Sequence, residues 1–362
     1  MIPIFCVLFS TTFLTYFAQK NIPTFDQDGI FLGIKLRKNK FLLILIQAIL
    51  ILFIGLRKGY NDTYAYIKKF SRLDTGWDAL LETNWKLSEN PGFYILNTLI
   101  KTYISDNPQV FLFIYALASI GLIFYFYQRW SQMLWLTVFL FIASGTFLAS
   151  MAAIKQIIAM GIGLLGVHYY LTKRPYKFIA CILLGCTFHP YLIFFLGAFF
   201  LSNRVWSKKV TLIILGAVLS GFLIEQFIQI AYSTTNELGY KYEKHGEVSG
   251  KGMNILRFLV YCTTPTLTWV YRKKINQSQD KALILFSNFT LIGWCFMFIS
   301  LFIGANMFGR MAMYFDPFMH LTLTVFLTSY LPIRNQSVVK CSCVLSYTLF
   351  FTYEIYSRGF IY

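Results

Sequence analysis

Four short stretches of this chain set charged or ring-bearing residues where apolar sequence begins, ends or breaks. Arg57 closes an apolar run in Gly55-Leu-Arg-Lys-Gly-Tyr-Asn-Asp-Thr-Tyr64. A cation, a carboxylate and ring faces in one stretch are what a sugar-phosphate site uses, and Asp62 could orient Arg57 or act as a base. The simpler reading makes Arg57 a snorkelling anchor at a helix end and Asp62 a solvated loop residue. Lys155 stands one turn inside an apolar run, in Ala152-Ala-Ile-Lys-Gln-Ile-Ile-Ala159. A charge there is expensive and marks a functional suspect, although its stem could also reach the nearby interface. Gln156 beside it adds a donor and an acceptor. His189 lies in Cys186-Thr-Phe-His-Pro-Tyr191, where a neutral imidazole can take a proton from a hydroxyl or simply pack. Arg310 opens another apolar run beside Gly309, with Tyr314 and Asp316-Pro317 following. It too reads either as a phosphate binder or as an anchor.

These residues need elements to hold them, and composition says which. Hydrophobic residues make up 57% of the 362 and charged residues 13%, against about 25% charged in a soluble domain. The apolar runs are continuous rather than alternating, so they read as helices that span a bilayer. The fold class expected is all-α: a polytopic membrane bundle of about ten spanning helices, forming a single domain over 1–362. The spans fall near 1–18, 41–56, 110–127, 133–150, 152–171, 210–230, 254–271, 282–303, 311–331 and 339–356. The first run has no positive n-region and no small-residue cleavage site, and reads as a retained span.

The net charge of +17 does not point to nucleic acid. The basic residues cluster in the loops 19–40, 172–177, 202–209 and 272–281, the pattern that fixes membrane orientation with those loops inside. The four loops share a side only if the apolar run 178–201 enters the membrane and returns. His189-Pro190 at its centre supplies the break, since proline removes a donor and biases the residue before it away from helix. Each half is roughly 11 residues, about 16 Å of helix, which is too short to cross. The run therefore reads as a re-entrant hairpin. Both termini, the large segment 57–109, the turn near 150–155, the 231–253 loop and His189 then face the extracytoplasmic side. Within 57–109, residues 92–100 read as an interfacial helix packed on the bundle.

The seven cysteines have no metal or redox spacing, and no nucleotide loop, zinc motif or nucleophile elbow occurs. No metal site and no cofactor are expected.

The order of the islands G-L-R-K-G-Y-N-D-T-Y-A-Y at 55–66, N-P-G-F-Y-I-L-N at 90–97, I-K-Q-I-I-A at 154–159, F-H-P-Y-L-I at 188–193 and G-R-M-A-M-Y-F at 309–315 resembles the EpsG-like, Wzy-type polymerases of bacterial exopolysaccharide and O-antigen. The resemblance covers roughly residues 40 to 330. One departure is Lys155, where the family usually has Arg; the charge is kept and the bidentate fork lost.

The resemblance implies a metal-independent glycosyltransferase in the bacterial cytoplasmic (inner) membrane, its active site facing the periplasmic or extracellular side. The growing glycan, carried on undecaprenyl pyrophosphate, is transferred to a sugar hydroxyl of the next lipid-linked unit. Arg57, Lys155 and Arg310 would bind the departing pyrophosphate. His189 or Asp62 would act as the base. Asn61, Tyr64, Gln156 and Tyr314 are the side chains suited to the sugars. The partners implied are the lipid-linked glycan donor and acceptor, the bilayer and a chain-length regulator protein. Two competing classes share the cationic cavity: an O-antigen ligase or other polyprenyl-linked glycosyltransferase, and a flippase for the same units.

Overall fold

The computed structural model describes residues 2–25, 31–201, 203–237, 253–302 and 305–357. They form two compact units, one of residues 1–195 with 327–362 and one of residues 196–326.

The first unit opens with α1 (Ile2–Ala18), two short strands β1 (Gln19–Phe25) and β2 (Phe31–Lys38), and α2 (Lys40–Gly55). The strands pair antiparallel, and the Asn39 N–H donates to the Ala18 carbonyl at 2.8 Å across their base. They are a local feature of an otherwise helical chain, and the reason is local. Ile34-Lys35-Leu36-Arg37 alternates apolar and polar, a period that suits a strand.

Segment 57–109 follows as α3 (Thr63–Ser71), α4 (Gly76–Leu81), a short 3-10 turn and α5 (Pro91–Tyr103). The helix expected at 92–100 is thus the core of α5. It packs on α4, on α6 (Pro108–Trp130) and on α10 (Pro175–Phe188). The start of α6 is set by Asn107, whose Oδ1 accepts from the Gln109 N–H at 2.8 Å, with Pro108 in the first turn. Both are preferred there, because neither sacrifices an intrahelical bond.

The apolar run expected as one span at 133–150 is broken. It forms α7 (Leu134–Ala143) and α8 (Thr146–Ala152), bent by 54°. Gly145 at φ +90° makes the corner, a conformation that costs glycine nothing. α9 (Ile154–Leu171) begins after the single residue Ala153 and packs along α10.

α10 ends at His189, whose backbone is extended. Residues Pro190–Gly197 continue as 3-10 helix. Leu192 then lies against both Gly185 and Gly163. In a continuous helix residue 192 would stand about 10 Å beyond residue 185, so the chain turns back at His189-Pro190. α18 (Ile333–Ser357) completes this unit and packs on α7.

The second unit comprises α11 (Ala198–Leu201), α12 (Lys208–Glu237), α13 (Ile255–Val270), α14 (Arg272–Ser278), α15 (Lys281–Ile299), α16 (Ala305–Met313) and α17 (Asp316–Val325). α15 is its centre, touching every other helix of the unit. The expected span 311–331 is also broken, because α16 stops at Met313 and α17 restarts at Asp316 with Pro317 in its first turn. Arg310 accordingly sits inside α16 rather than at the opening of a span. Most of the expected 231–253 loop, residues 238–252, lies outside the described residues.

Among the described residues, Pro108–Trp130, Ile154–Leu171, Lys281–Ile299 and Gln336–Ser357 are long and apolar enough to cross a bilayer. The bent pair α7–α8 makes a fifth span if counted as one. The apolar helices Ile2–Ala18, Lys40–Gly55, Pro175–Phe188 and Pro190–Leu201 are shorter.

Candidate functional site

The site in the first unit is built at the C-terminal end of α2. Gln109 donates its side-chain amide to the Gly55 carbonyl, so the first turn of α6 holds the end of α2. Gly55 permits this approach: a Cβ there would lie 3.3 Å from the backbone of Phe113. Two residues on, Arg57 is 9% exposed. Its Nη1 donates to the Ile54 carbonyl at 2.7 Å, and its Nε donates to Thr63 Oγ1 at 3.0 Å. Helix end and cation attract each other, because α2 presents the negative end of its dipole here. Nη2 is buried and has no hydrogen-bond partner. Burial pulls the guanidinium down to about 10, which leaves it charged at neutral pH.

Thr63 is the residue that orients Arg57. It is fully buried at the start of α3, and its hydroxyl donates to the Tyr60 carbonyl at 2.7 Å. Asp62 is half-buried at the α3 N-terminus, and its carbonyl accepts from the Tyr66 N–H at 3.1 Å. Asn61 adopts φ +44°, a left-handed conformation that Asn tolerates better than most residues. Asn61 and Tyr64 both face outward, Tyr64 with 73% of its surface exposed.

Lys155 lies in the first turn of α9. Its ammonium sits 5.0 Å from the centroid of the Phe93 ring. That cation stands at the positive end of a helix dipole, which is unfavourable by itself. Glu89 and Lys69 act on it only at longer range. Gln156, the next residue, is buried. α5 then joins Lys155 to the broken run: Phe93 lies under Lys155, and Gly92 abuts Thr187 and Phe188 at the end of α10. His189 follows, half-buried, its ring edge-on to Tyr191 with centroids 5.0 Å apart. The islands at 55–66, 90–97, 154–159 and 188–193 thus meet at one end of the first unit.

The basic residues gather at the other end. Lys38, before α2, donates to the Gln128 carbonyl near the end of α6. Gln19 donates to the Gln132 carbonyl at 3.0 Å. Arg129 stacks on Tyr125 at 4.7 Å, and Lys177 on Tyr169 at 5.5 Å. α2 and α9 each run from one end of the unit to the other, so Arg57 and Lys155 share the end away from these residues.

A groove of about 960 Å³ opens beside Arg57. Pro3 and Val7 of α1 and Ile49, Leu52 and Phe53 of α2 form its apolar walls, and Arg57, Lys58, Gly59 and Tyr60 lie at its end. An apolar channel that terminates in two cations suits an anion carried on a hydrocarbon chain.

Arg310 and Tyr314 belong to the second unit. Arg310 is exposed on α16, and Tyr314 is buried at the α16–α17 break. Next to it Asp316, buried, accepts a hydrogen bond from the Tyr261 hydroxyl of α13. The structure thus brings Arg57, Asp62, Lys155 and His189 into one unit and sets Arg310 and Tyr314 in the other. Among the described residues no group of three or more His, Cys, Asp or Glu could hold a metal ion. Thr63, Gln109 and Phe93 went unnoticed as site residues, because a threonine, a glutamine and a phenylalanine carry no signal until their partners are known.

The model of the EpsG family matches residues 40–362, and the chain belongs to that family. No curated protein and no solved structure matches it.

Proposed function

We propose that this EpsG-family chain is a membrane glycosyltransferase that polymerises oligosaccharide repeat units carried on undecaprenyl pyrophosphate. Family membership supports a polysaccharide-polymerase role in a membrane. The observation that carries the finer reading is the groove. Its apolar walls suit a polyprenyl tail, and Arg57 and Lys58 at its end suit the pyrophosphate to which that tail is joined.

The chemistry follows from the site. Cleaving the sugar–pyrophosphate bond builds negative charge on the leaving group, and fixed cations in a poorly hydrated site stabilise that charge without reorganising. Arg57 and Lys155 are held by uncharged groups, a hydroxyl and a carbonyl for one and a ring face for the other. Among the described residues no carboxylate stands within ion-pair distance of either. Their charge is therefore available to an anion instead of being spent inside the protein. Arg310, in the second unit, is a further cation whose planar guanidinium suits a phosphate. His189 takes the proton of the attacking sugar hydroxyl, with Asp62 in reserve. The new glycosidic bond forms as the lipid pyrophosphate leaves with the electron pair. Asn61, Tyr64 and Gln156 of the first unit are suited to orient the sugars, and Tyr314 is a candidate of the same kind in the second.

The orientation proposed puts the Arg57 end of the first unit on the periplasmic or extracellular side and the basic end in the cytoplasm, following the charge bias of inner-membrane loops. Ten crossings follow if α1, α2, α12, α13 and the α16–α17 pair span in addition to the five long or bent-pair segments, with the run at 178–201 entering and returning. The partners are the lipid-linked donor and acceptor and a chain-length regulator protein.

Deleting the chain from a producing cell should leave single repeat units on the surface and remove polymer. Loss of all surface sugar would assign it to flipping instead. With purified protein, widening the Leu52 side chain to Trp should raise KM for the lipid-linked donor. An unchanged KM would remove the groove from the substrate path.

A further inference from the structure

We propose that Phe93 is a positioning residue for Lys155, holding the ammonium in place for pyrophosphate without neutralising it; this rests on the polymerase reading above. The placement of Lys155 raises the question. A cation in the first turn of a helix works against the helix dipole, and an apolar neighbourhood adds to the cost. A carboxylate partner would offset that cost and cancel the charge. An aliphatic partner would offset nothing. The face of an aromatic ring attracts the cation through its quadrupole and leaves the charge intact. Phe93, 5.0 Å from the Lys155 ammonium, is that third choice.

The ring can act as a reference surface because it is itself fixed. Phe93 is 6% exposed. Its centroid lies 5.8 Å from Tyr66, 6.3 Å from Phe111 and 5.3 Å from Tyr115. Tyr115 is in turn held by its hydroxyl, which donates to Asn97 Oδ1 of the same helix α5 at 2.9 Å. On the far side Gly92 lets α5 seat against Thr187 and Phe188. One helix turn therefore locates both the Lys155 ammonium and the end of α10, from which His189 projects.

Buried aromatic packing alone predicts a different response to mutation, and a double-mutant cycle separates the two. The probe is inorganic pyrophosphate, titrated into the purified full chain in lipid nanodiscs and read by calorimetry. Phe93→Leu should weaken binding roughly three- to thirty-fold, the range of a partly to fully desolvated cation–π contact. In a Lys155→Met background the same substitution should change nothing further. Phe93→Tyr, which keeps the ring face, should bind within about two-fold of wild type, and it covers the case in which Phe93→Leu unfolds. An equal loss from Phe93→Leu in both backgrounds would overturn the proposal and leave Phe93 a packing residue. Lys155→Met binding as tightly as wild type would remove Lys155 from the anion site, a failure of the functional reading that needs no Phe93 variant to be seen.

Discussion

Thr63 holds Arg57 through a relay that runs one way. The Arg57 Nε–H donates to Thr63 Oγ1 at 3.0 Å, and the Thr63 hydroxyl passes its own hydrogen to the Tyr60 carbonyl at 2.7 Å. The acceptor lone pair of Thr63 thus always faces the guanidinium.

Thr63→Val keeps the shape and removes that acceptor. A buried donor left without a partner costs about 1–3 kcal/mol. Thermal unfolding should register the loss, and KM for the lipid-linked donor should rise. Thr63→Ser should recover both. Wild-type values from Thr63→Val would mean that Arg57 does not depend on the relay.

Arg57→Ala should abolish polymer while the protein remains in the membrane. The pH dependence is sharper. Burial pulls Arg57 below the usual arginine range, to about 10, so the unfolded chain holds this proton more tightly than the folded one. The linkage then runs upward: stability gains as pH rises above about 10, and below 10 the buried charge is a steady cost. Pyrophosphate binding needs the charge and should run the other way, flat across neutral pH and falling above about 10. Arg57→Lys, with a lower intrinsic pKa, should move that fall to lower pH. An alkaline limb that does not move would separate Arg57 from the anion.

Gly92→Ala should strain the α5–α10 junction. The added Cβ would come within 2.9 Å of Thr187 Cβ and 3.1 Å of the Phe188 ring. Overpacking of this kind costs about 1–3 kcal/mol. Thr187→Ala, which removes the hydroxyl the new methyl meets first, should restore part of the stability and turnover. A silent Gly92→Ala would show that the junction is loose.

His189→Ala should lower turnover by about 10²–10⁴, the usual worth of general-base help, with donor binding retained. A rate within a few-fold of wild type would eliminate His189 as the base, and a silent Asp62→Asn would then end the general-base scheme. Lys155→Arg should be tolerated, because a guanidinium also stacks on the Phe93 ring.

The helices were legible in the sequence because long apolar runs admit little else, and the turn at His189-Pro190 was legible because proline announces it. The corner at Ser144-Gly145 escaped notice: a glycine in an apolar run weakens a helix without forbidding it, and hydropathy averages over the break. The strands at 19–38 were hidden behind their lysines and arginines, which read first as an orientation signal. Arg57 and Lys155 stood out as charges bordering apolar sequence. Thr63 and Phe93 did not, since what makes them matter is a neighbour six residues away in one case and about sixty in the other.

Leu192 fills the space that Gly163 and Gly185 leave by having no side chains. The three positions are therefore packed against one another, with Phe195 beside Gly163. Alanine at Gly185 would displace Leu192, and alanine at Gly163 would displace Leu192 and the Phe195 ring together, so the second change asks more of its neighbours. Drift across α9 and α10 should accordingly be slower at Gly163, Gly185 and Leu192 than at their exposed positions.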